Sequence, residues 1–444
     1  MSDSNPAPQA DQKKNILERF LSLFSKVRPG EGTTLLLLLL NAFILMGLYS
    51  ILKPVREALI LSQAGAIIKS YSSAAQALAF VFVVPAYGAF AARINRVWLL
   101  SGMTLFFISN LILFILAGRA GMQIGIAYFI WIGVFNFMVV SQFWAFANDV
   151  YSEEQGKRLF PIVGIGSTLG AWAGASLAAS LFEVTGAYWL MMLASALLGL
   201  CILLTLAVNR RETRQGASEA KKAQEHLSKE GSFKLVMKNR YLMLIAFHVL
   251  LLNLVNTVGE FVLGYQVEQA AITEIGSGEA LQDQRENYIG AFYGSFHSWV
   301  NLLAFLIQSF LVSRFFKYLG VRGSLFVGPI ISLCTYGTAA VQPLLNAIRL
   351  GKIGENSIDY SVNNTVRHAL FLPTSREVKY KAKAAIDTFF GRTGDALQAG
   401  VVFIGTSFAF GFAAFALVNL GFVVVWLGVC LGIFRKHKEL TKEA

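Results

Sequence analysis

The chain contains a series of apolar stretches, each about 20 residues long, that recur along almost its whole length. A helix of about 20 residues is long enough to cross the hydrocarbon core of a bilayer. Only 14% of the 444 residues are charged, whereas typical soluble domains carry about 25%. Because a water-soluble surface needs more charge than this, the composition favours a polytopic membrane protein over a soluble enzyme.

Twelve of these stretches are predicted to be transmembrane helices. The tenth and eleventh are interrupted by charged residues, and the others are clear. We therefore predict an all-α polytopic membrane protein of about twelve helices. The predicted spans are 33–52, 70–92, 97–118, 123–148, 159–182, 186–208, 241–266, 288–313, 321–341, 344–372, 384–409 and 411–434.

The formal net charge of +12 raises the possibility of nucleic-acid binding, but the basic residues are scattered over short loops and form no dense tract. They fall in alternate loops, and an excess of Lys and Arg marks the cytoplasmic side of a membrane protein. The opposite side is nearly uncharged apart from an acidic loop at 268–286. The pattern predicts both termini in the cytoplasm, a bacterial inner membrane location and no nucleic-acid partner.

A basic segment at 209–240 carries nine Lys and Arg residues and divides the chain into two parts of similar size. Two six-helix halves joined by such a linker are typical of the major facilitator fold. A weak internal repeat supports two halves, because the fourth and fifth spans and the tenth and eleventh both pass through a charged turn into a glycine-rich helix. The predicted segments are a cytoplasmic N-terminal segment at 1–32, a first half at 33–208, the linker at 209–240, a second half at 241–434 and a cytoplasmic tail at 435–444.

Three glycines in the fifth span, Gly166, Gly170 and Gly174, stand four residues apart. Small residues at this spacing let two helix backbones approach closely in a membrane. Close helix packing is the prediction, with a hinge role in alternating access as the alternative.

The end of the first span holds three charged residues, Lys53, Arg56 and Glu57, around Pro54. A charged group inside a bilayer costs about 2.5–3.5 kcal/mol on insertion scales, so it needs a partner or a water-filled cavity. Lys53 and Glu57 are four residues apart and are predicted to pair on one helical face. The cluster either snorkels to the outer surface or, if Pro54 breaks the helix, faces a central cavity.

The seventh and tenth spans also carry charges. Glu260 has no charged neighbour in its own span, so it is predicted to pair across helices, to titrate or to contact a ligand. In the tenth span, Arg349, Lys352, Glu355 and Asp359 follow spacings of three and four that place them along one stripe. Such a helix cannot face lipid, so we expect it to line a water-filled path, with a buried structural ion ladder as the alternative.

Five basic groups are thus available to a cavity, and both Lys and Arg suit phosphate oxygens. The predicted solute is an anion, such as a phosphorylated one. The predicted substrate-binding residues are Lys53, Arg56, Glu260, Arg349, Lys352 and Arg392. The predicted coupling or gating residues are Glu57, Asp149, Glu355, Asp359 and Asp395, of which Asp149 has a structural alternative as a partner of Lys157 or Arg158.

Three segments, LKPVREALIL, FWAFANDVYSEEQGKRLFPIVGIGSTLGAWAGA and ENSIDYSVNNTVRHALFLPTSREVKYKAKAAIDTFF, resemble the bacterial branch of the ATP/ADP translocase family. The likeness extends over the twelve-span region and is closest to the branch found in free-living bacteria. It implies a major-facilitator-like fold and exchange of ATP for ADP. It also implies that Lys53 and Glu260 bind or couple substrate. By helix position, the same implied roles extend to Asp149 and Arg392.

No Walker loop, nucleophile elbow or metal-ligand spacing occurs in the sequence, so neither catalysis nor a cofactor is expected. Three functions remain open: an exchanger of nucleotides or another phosphorylated anion, a carrier of a different solute such as a lysophospholipid or organic acid, and a membrane scaffold without a transport cycle. The expected partners are a small anionic substrate and the bilayer, and the expected state is a monomer.

Overall fold

The structure, a computed structural model, describes residues 16–22, 27–91, 96–214, 236–374, 382–383 and 386–440. Every regular element in these ranges is helical, so the predicted all-α fold is confirmed. The helices are α1 (Ile16–Leu21), α2 (Gly32–Gln63), α3 (Gly65–Ala91), α4 (Arg96–Arg119), α5 (Gly125–Phe135), α6 (Ser141–Val150), α7 (Glu153–Arg214), α8 (Arg240–Ile275), α9 (Gln282–Leu306), α10 (Val312–Tyr318), α11 (Gly320–Ser324), α12 (Val327–Val341), α13 (Leu345–Ile358), α14 (Asn364–Leu370), α15 (Gly391–Ser407) and α16 (Phe412–Leu440).

Short π-helical segments continue several of these helices. Asn136–Val140 joins α5 to α6, Ile307–Leu311 joins α9 to α10, and Asp359–Asn363 joins α13 to α14. A fourth segment, Ile386–Phe390, precedes α15. Single π turns inside helices are often found at functional sites, and the one at Asp359 lies in the predicted polar span.

Nine helical segments in the described ranges are long and apolar enough to cross a membrane. One of them, Glu154–Glu212, has 59 residues, about three times the length of one crossing. Gly186 breaks it with φ 73° and ψ 176°, between the predicted fifth and sixth spans. The polar helices after residues 344 and 385 are not among the nine. The predicted membrane crossing is supported, and the total of twelve stays a prediction.

The first spanning helix is longer than the sequence predicts. α2 continues for 32 residues through Pro54 to Gln63, so the alternative of a helix break at Pro54 is wrong. Proline removes one amide donor from the helical ladder, a loss that spanning helices tolerate because neighbouring groups satisfy the freed carbonyl. As a result, Arg56 and Glu57 lie inside a regular helix.

α2 and α7 pack with their backbones in close contact at the three glycines. A Cβ atom at Gly170 would clash with the Phe43 carbonyl, and one at Gly174 would clash with the Gly47 carbonyl. A Cβ atom at Gly166 would lie 2.8 Å from the Leu39 carbonyl oxygen. The close packing predicted from the four-residue spacing is confirmed.

A polar network fixes the start of α2 against the start of α7. The Arg158 guanidinium donates to both oxygens of Glu31, with a shortest contact of 2.9 Å. Burial opposes ionisation of Glu31, but hydrogen bonds from Arg158, the Arg28 amide and Gln155 outweigh it and lower the pKa of this carboxyl below its ordinary value. Glu31 therefore stays charged at neutral pH, and its contribution to stability is lost only as the pH falls towards this pKa.

We call residues 27–214 and 236–440 the N-terminal half and the C-terminal half. α7 and α9 form one line of contact between them. Ser176 and Ser298 lie 2.7 Å apart through their hydroxyls, and Asn301 Nδ2 donates to the Ala171 carbonyl at 3.0 Å. These contacts lie in the part of α7 that precedes Gly186 and in the second half of α9.

α3 forms the second line of contact. The Ala66 amide in its first turn donates to Glu268 on α8 at 2.8 Å, and Gln398 on α15 donates to the Ser70 hydroxyl at 2.8 Å. We call this end of the molecule, where α2 meets α3, the Gly65 side. Gly65 has φ +81°, a conformation that glycine adopts without strain, and it turns the chain sharply between the two helices.

The glycine packing predicts that Gly170→Ala lowers the stability of the folded protein by about 1–3 kcal/mol, because the added methyl overpacks the α2 backbone. The measurement is thermal unfolding in detergent. Gly164→Ala is the matched control, because a Cβ atom there meets nothing within 4 Å and alanine favours a helix. Equal melting temperatures for the two variants would contradict the packing.

Candidate functional site

The buried charged side chains converge where α2, α3, α8 and α13 meet. They form two groups, one in each half. The triad comprises Arg56, Glu57 and Lys69. The Lys352 network comprises Asn256, Glu260, Lys352, Glu355 and Asn356.

Lys352 is the centre of its network and is fully buried, with a side-chain exposure of 0%. Its ammonium lies 2.8 Å from Glu355 and 3.7 Å from Glu260. It also donates to Asn256 Oδ1 at 2.6 Å. One cation is thus shared by two carboxylates. Of the three roles predicted for Glu260, the structure contains the pairing across helices, and the role in ligand binding stays a prediction.

Further hydrogen bonds hold both carboxylates. Ser332 and Tyr336, on α12, each donate to Glu355 at 2.7 Å. Asn356 Nδ2 donates to Glu260 Oε1 at 2.9 Å. Glu355 is 8% exposed and Glu260 is 24% exposed, so Glu355 is the more firmly held of the two and Glu260 the more accessible.

In the triad, Glu57 bridges two cations. Its Oε1 accepts from the adjacent Arg56, and its Oε2 lies 2.5 Å from the Lys69 ammonium on α3. The predicted pair of Lys53 with Glu57 is therefore wrong. The four-residue spacing placed those two on one face, but Lys69 reaches Glu57 from a neighbouring helix and takes that place.

Lys53 lies instead between aromatic rings from both halves. Its ammonium is 4.9 Å from the centroid of the Tyr49 ring and 5.6 Å from that of Tyr360 in the C-terminal half. Among the described residues no carboxylate lies within 4.0 Å of it. Ring faces attract a cation but leave its charge uncompensated, so Lys53 remains able to bind an anion.

Arg349 and Arg392 also lie against aromatic rings. Arg349 is 5.0 Å from the Phe292 centroid and donates to Ser295 at 2.8 Å. Arg392 is 4.4 Å from the Phe80 centroid and contacts Asp395 at 3.3 Å. Arg392 is therefore partly neutralised by Asp395, whereas Arg349 meets only uncharged groups within the described part of the chain.

Two predicted residues lie outside these groups. Asp359 is half-buried in the π segment that interrupts the predicted stripe, so the regular spacing of α13 ends there. Asp149 is exposed in the last turn of α6. Arg158, one of its two predicted alternative partners, binds Glu31, and the pairing of Asp149 with Lys157 or Arg158 stays a prediction.

Sequence reasoning missed Lys69, Asn256, Ser332 and Tyr336. Lys69 falls one residue before the predicted second span, in a stretch assigned to a loop. The other three are uncharged polar residues within apolar runs, and such residues commonly satisfy themselves within their own helix. The one available signal was Lys69 itself, a basic residue with no acidic neighbour in its sequence segment.

The charge balance of the site favours an anion. The two groups and the residues beside them contain five basic groups (Lys53, Arg56, Lys69, Arg349 and Lys352) and four carboxylates (Glu57, Glu260, Glu355 and, beside the Lys352 network, Asp359). The two cations that lack a carboxylate lie against aromatic rings: Lys53 against one ring from each half, and Arg349 against Phe292 in its own half. Lys and Arg in such a setting can coordinate phosphate or carboxylate oxygens.

The buried network predicts that Lys352→Met lowers stability by about 3–5 kcal/mol, because Glu355 and Glu260 lose their cation. Adding Glu355→Gln to this variant should restore part of the loss. Thermal unfolding in detergent measures both effects, with Lys317→Met, at an exposed lysine, as the control. A double variant no more stable than Lys352→Met would contradict the shared-cation arrangement.

Solved structures of similar fold are transporters. The chain superposes on the nucleoside transporter NupG with a TM-score of 0.64, at 14% identity, covering 91% of this chain and 99% of that one. It superposes on a bacterial homologue of the iron transporter ferroportin with a TM-score of 0.61, at 14% identity, covering 90% and 98%. At this identity the likeness shows the fold alone, and it confirms the predicted major-facilitator-like architecture.

Similar curated proteins are named as ADP,ATP carriers or ATP/ADP transporters. ADP,ATP carrier protein 1 of Chlamydia trachomatis serovar D is 23% identical over 333 residues, which cover 65% of this chain and 61% of the relative. The plastidic ATP/ADP-transporter of Solanum tuberosum is 23% identical over 342 residues, which cover 68% and 51%. The chain thus spans about three fifths of the length of the Chlamydia carriers that it matches.

The family model described as TLC ATP/ADP transporter matches residues 126–437, which include Glu260, the whole Lys352 network and Arg392. The match therefore covers well over half of the chain, together with most of the charged residues described above. Because the family model matches more than half of the chain, the chain belongs to the TLC ATP/ADP transporter family.

Proposed function

We propose that this protein is a secondary transporter that exchanges ATP and ADP, or nucleotides of that type, by alternating access. The observation that carries the proposal is Lys53, a cation near one tyrosine ring from each half and with no described carboxylate partner. A phosphate group there would supply the missing negative charge. Family membership and the relatives named ADP,ATP carriers support the same substrate class.

The proposed phosphate-binding groups are Lys53, Arg56 and Arg349. Each has donor capacity that no described carboxylate fully occupies. Lys binds a phosphate oxygen as a point charge, whereas Arg presents a planar fork to two oxygens. Three such groups match the several negative charges of a nucleoside di- or triphosphate.

The Lys352 network is the proposed coupling element. Glu260 is the more exposed of its two carboxylates and lies 3.7 Å from Lys352, beyond a direct hydrogen bond. A bound anion can attract Lys352 away from Glu260 without breaking the 2.8 Å contact with Glu355. Such an exchange of partners links substrate binding to the packing of α8 against α13.

The remaining assignments belong to the same proposal. The protein acts as a non-enzymatic monomer in a bacterial inner membrane, with both termini in the cytoplasm and two six-helix halves joined by the 209–240 linker. Asp149, Glu355, Asp359 and Asp395 act in coupling or gating, and Arg392 contributes to binding. Under this orientation the Gly65 side faces the outside of the cell.

The outer gate is proposed to lie on the Gly65 side and to be closed in this structure. Glu268 of α8 accepts from the Ala66 amide at the N-terminus of α3, where a carboxylate is favoured by the exposed amide groups. The bond joins the two halves, so it must break when the halves separate on this side. Glu268 is therefore the proposed latch.

The exchange proposal predicts uptake of labelled ATP into liposomes that contain the purified protein and ADP, and no uptake without internal ADP. Lys53→Gln should lower this uptake about tenfold or more, because a charge-assisted hydrogen bond contributes about 1.5–3 kcal/mol. Lys317→Gln is the matched control, since Lys317 also lies over a tyrosine ring, at 5.3 Å, but at an exposed position. Absence of nucleotide uptake by folded protein would overturn the proposal.

The latch proposal predicts that Glu268→Ala shifts the protein towards a state open on the Gly65 side. Loss of a hydrogen bond to a charged acceptor, about 1.5 kcal/mol, changes the open-to-closed ratio about tenfold. The reporter is the rate at which a water-soluble maleimide labels Ala66→Cys, whose side chain is buried in the closed state, in a background that lacks the three native cysteines.

In that experiment, Glu279→Ala removes an exposed carboxylate of the neighbouring segment and should leave the labelling rate unchanged. A labelling rate that Glu268→Ala does not raise above this control would contradict the latch.

A further inference from the structure

Arg56 offers only one edge of its guanidinium to a substrate. Nε and Nη2 both donate to Glu57 Oε1, whereas Nη1 makes no hydrogen bond to a described residue. The Arg56 side chain is 22% exposed and that of Glu57 is 1% exposed. One edge of the fork is thus held in the protein interior, and the other is accessible.

The direction of this open edge depends on where Glu57 is held. Adjacent residues on a helix do not face each other, so α2 alone does not hold Glu57 against Arg56. The remaining oxygen of Glu57 lies 2.5 Å from Lys69 Nζ on α3. Among the described residues, Glu57 is the one carboxylate within 4.0 Å of the Lys69 ammonium.

We propose that Lys69 is a positioning residue that acts through Glu57 to orient Arg56 towards a phosphate oxygen of the substrate. This inference rests on the proposed function, because it requires Arg56 to bind a phosphorylated anion. Lys69 is 9% exposed, and in this proposal it acts through Glu57 and not through a contact of its own with the substrate.

Lys69 also responds to closure of the Gly65 side. Its ammonium lies 5.6 Å from the centroid of the Tyr293 ring in the C-terminal half. The same part of α3 bonds the C-terminal half through Ala66 and Ser70. Separation of the halves on this side would admit water to the Lys69–Glu57 pair and weaken it, so the orientation of Arg56 is most firmly held while the Gly65 side is closed.

The test is equilibrium binding of ADP to the purified full-length protein in detergent, with a double-mutant cycle between positions 69 and 56. Lys69→Met should raise the dissociation constant about tenfold, and Lys69→Arg should restore most of the affinity because it keeps the cation. In an Arg56→Gln background, Lys69→Met should have no further effect, since the group that it positions is already absent.

A charge-balanced variant keeps the test valid if Lys69→Met folds poorly. Lys69→Met combined with Glu57→Gln leaves no unpaired buried carboxylate. It should show the same loss of affinity, because Arg56 loses its ionic partner and keeps only its contact with the Phe129 ring, whose centroid is 5.0 Å from the guanidinium carbon. A loss of ADP affinity that Lys69→Arg does not restore, or that persists in the Arg56→Gln background, would show that Lys69 acts independently of Arg56 and would overturn the inference.

Failure of the function and failure of the inference give different results. If the wild-type protein binds no nucleotide, the proposed function fails and this inference fails with it. If the wild-type protein binds ADP and the effects at positions 69 and 56 are additive, the exchange function stands and the positioning role alone is overturned.

Discussion

The burial of Lys352 among apolar helices determines how the second half of the molecule is arranged. A fully buried ammonium must be surrounded by acceptors, since an unpaired charge away from water is strongly unfavourable. Glu260 and Asn256 on α8 and Glu355 on α13 supply these acceptors. Glu260 and Asn256 thus join α8 to α13 through this cation. Glu355 lies on the same helix as Lys352 and joins α13 to α12 by accepting hydrogen bonds from Ser332 and Tyr336.

The N-terminal half contains a comparable buried cluster in which the signs of the charges are reversed. Glu57 is the buried carboxylate, and Arg56 and Lys69 are the cations that compensate it. A carboxylate with two cations leaves one positive charge over, and Lys53 adds another one turn earlier on α2. The two halves therefore meet at a surface with an excess of positive charge, which is the condition for an anion to bind between them.

Residue spacing within a single helix predicted the local structure well. The glycines at four-residue intervals pack against α2, because small residues let two helix backbones approach closely. Glu260 pairs with Lys352 on another helix, because a charge inside a spanning helix needs a partner. The pairing of Lys53 with Glu57 was wrong for a related reason. Spacing reports only partners on the same helix, and Lys69 reaches Glu57 from α3.

Hydropathy did not identify three of the residues that form the site, Lys69, Ser332 and Tyr336. Lys69 lay outside the predicted second span because a lysine ends an apolar window, yet α3 begins at Gly65 and the lysine is satisfied by Glu57. Ser332 and Tyr336 carried no charge, so nothing in their sequence context distinguished them from ordinary packing residues until α12 was placed beside Glu355. The three-dimensional packing of the helices, and not their individual patterns, created the site.

The most direct test of the central claim is an experimental structure of the protein with ADP bound. We expect phosphate oxygens between the two halves, within hydrogen-bond distance of Lys53 and the Nη1 edge of Arg56, with Lys352 still contacting Glu355. ADP bound away from these groups, or phosphates that contact neither Lys53 nor Arg56, would contradict it.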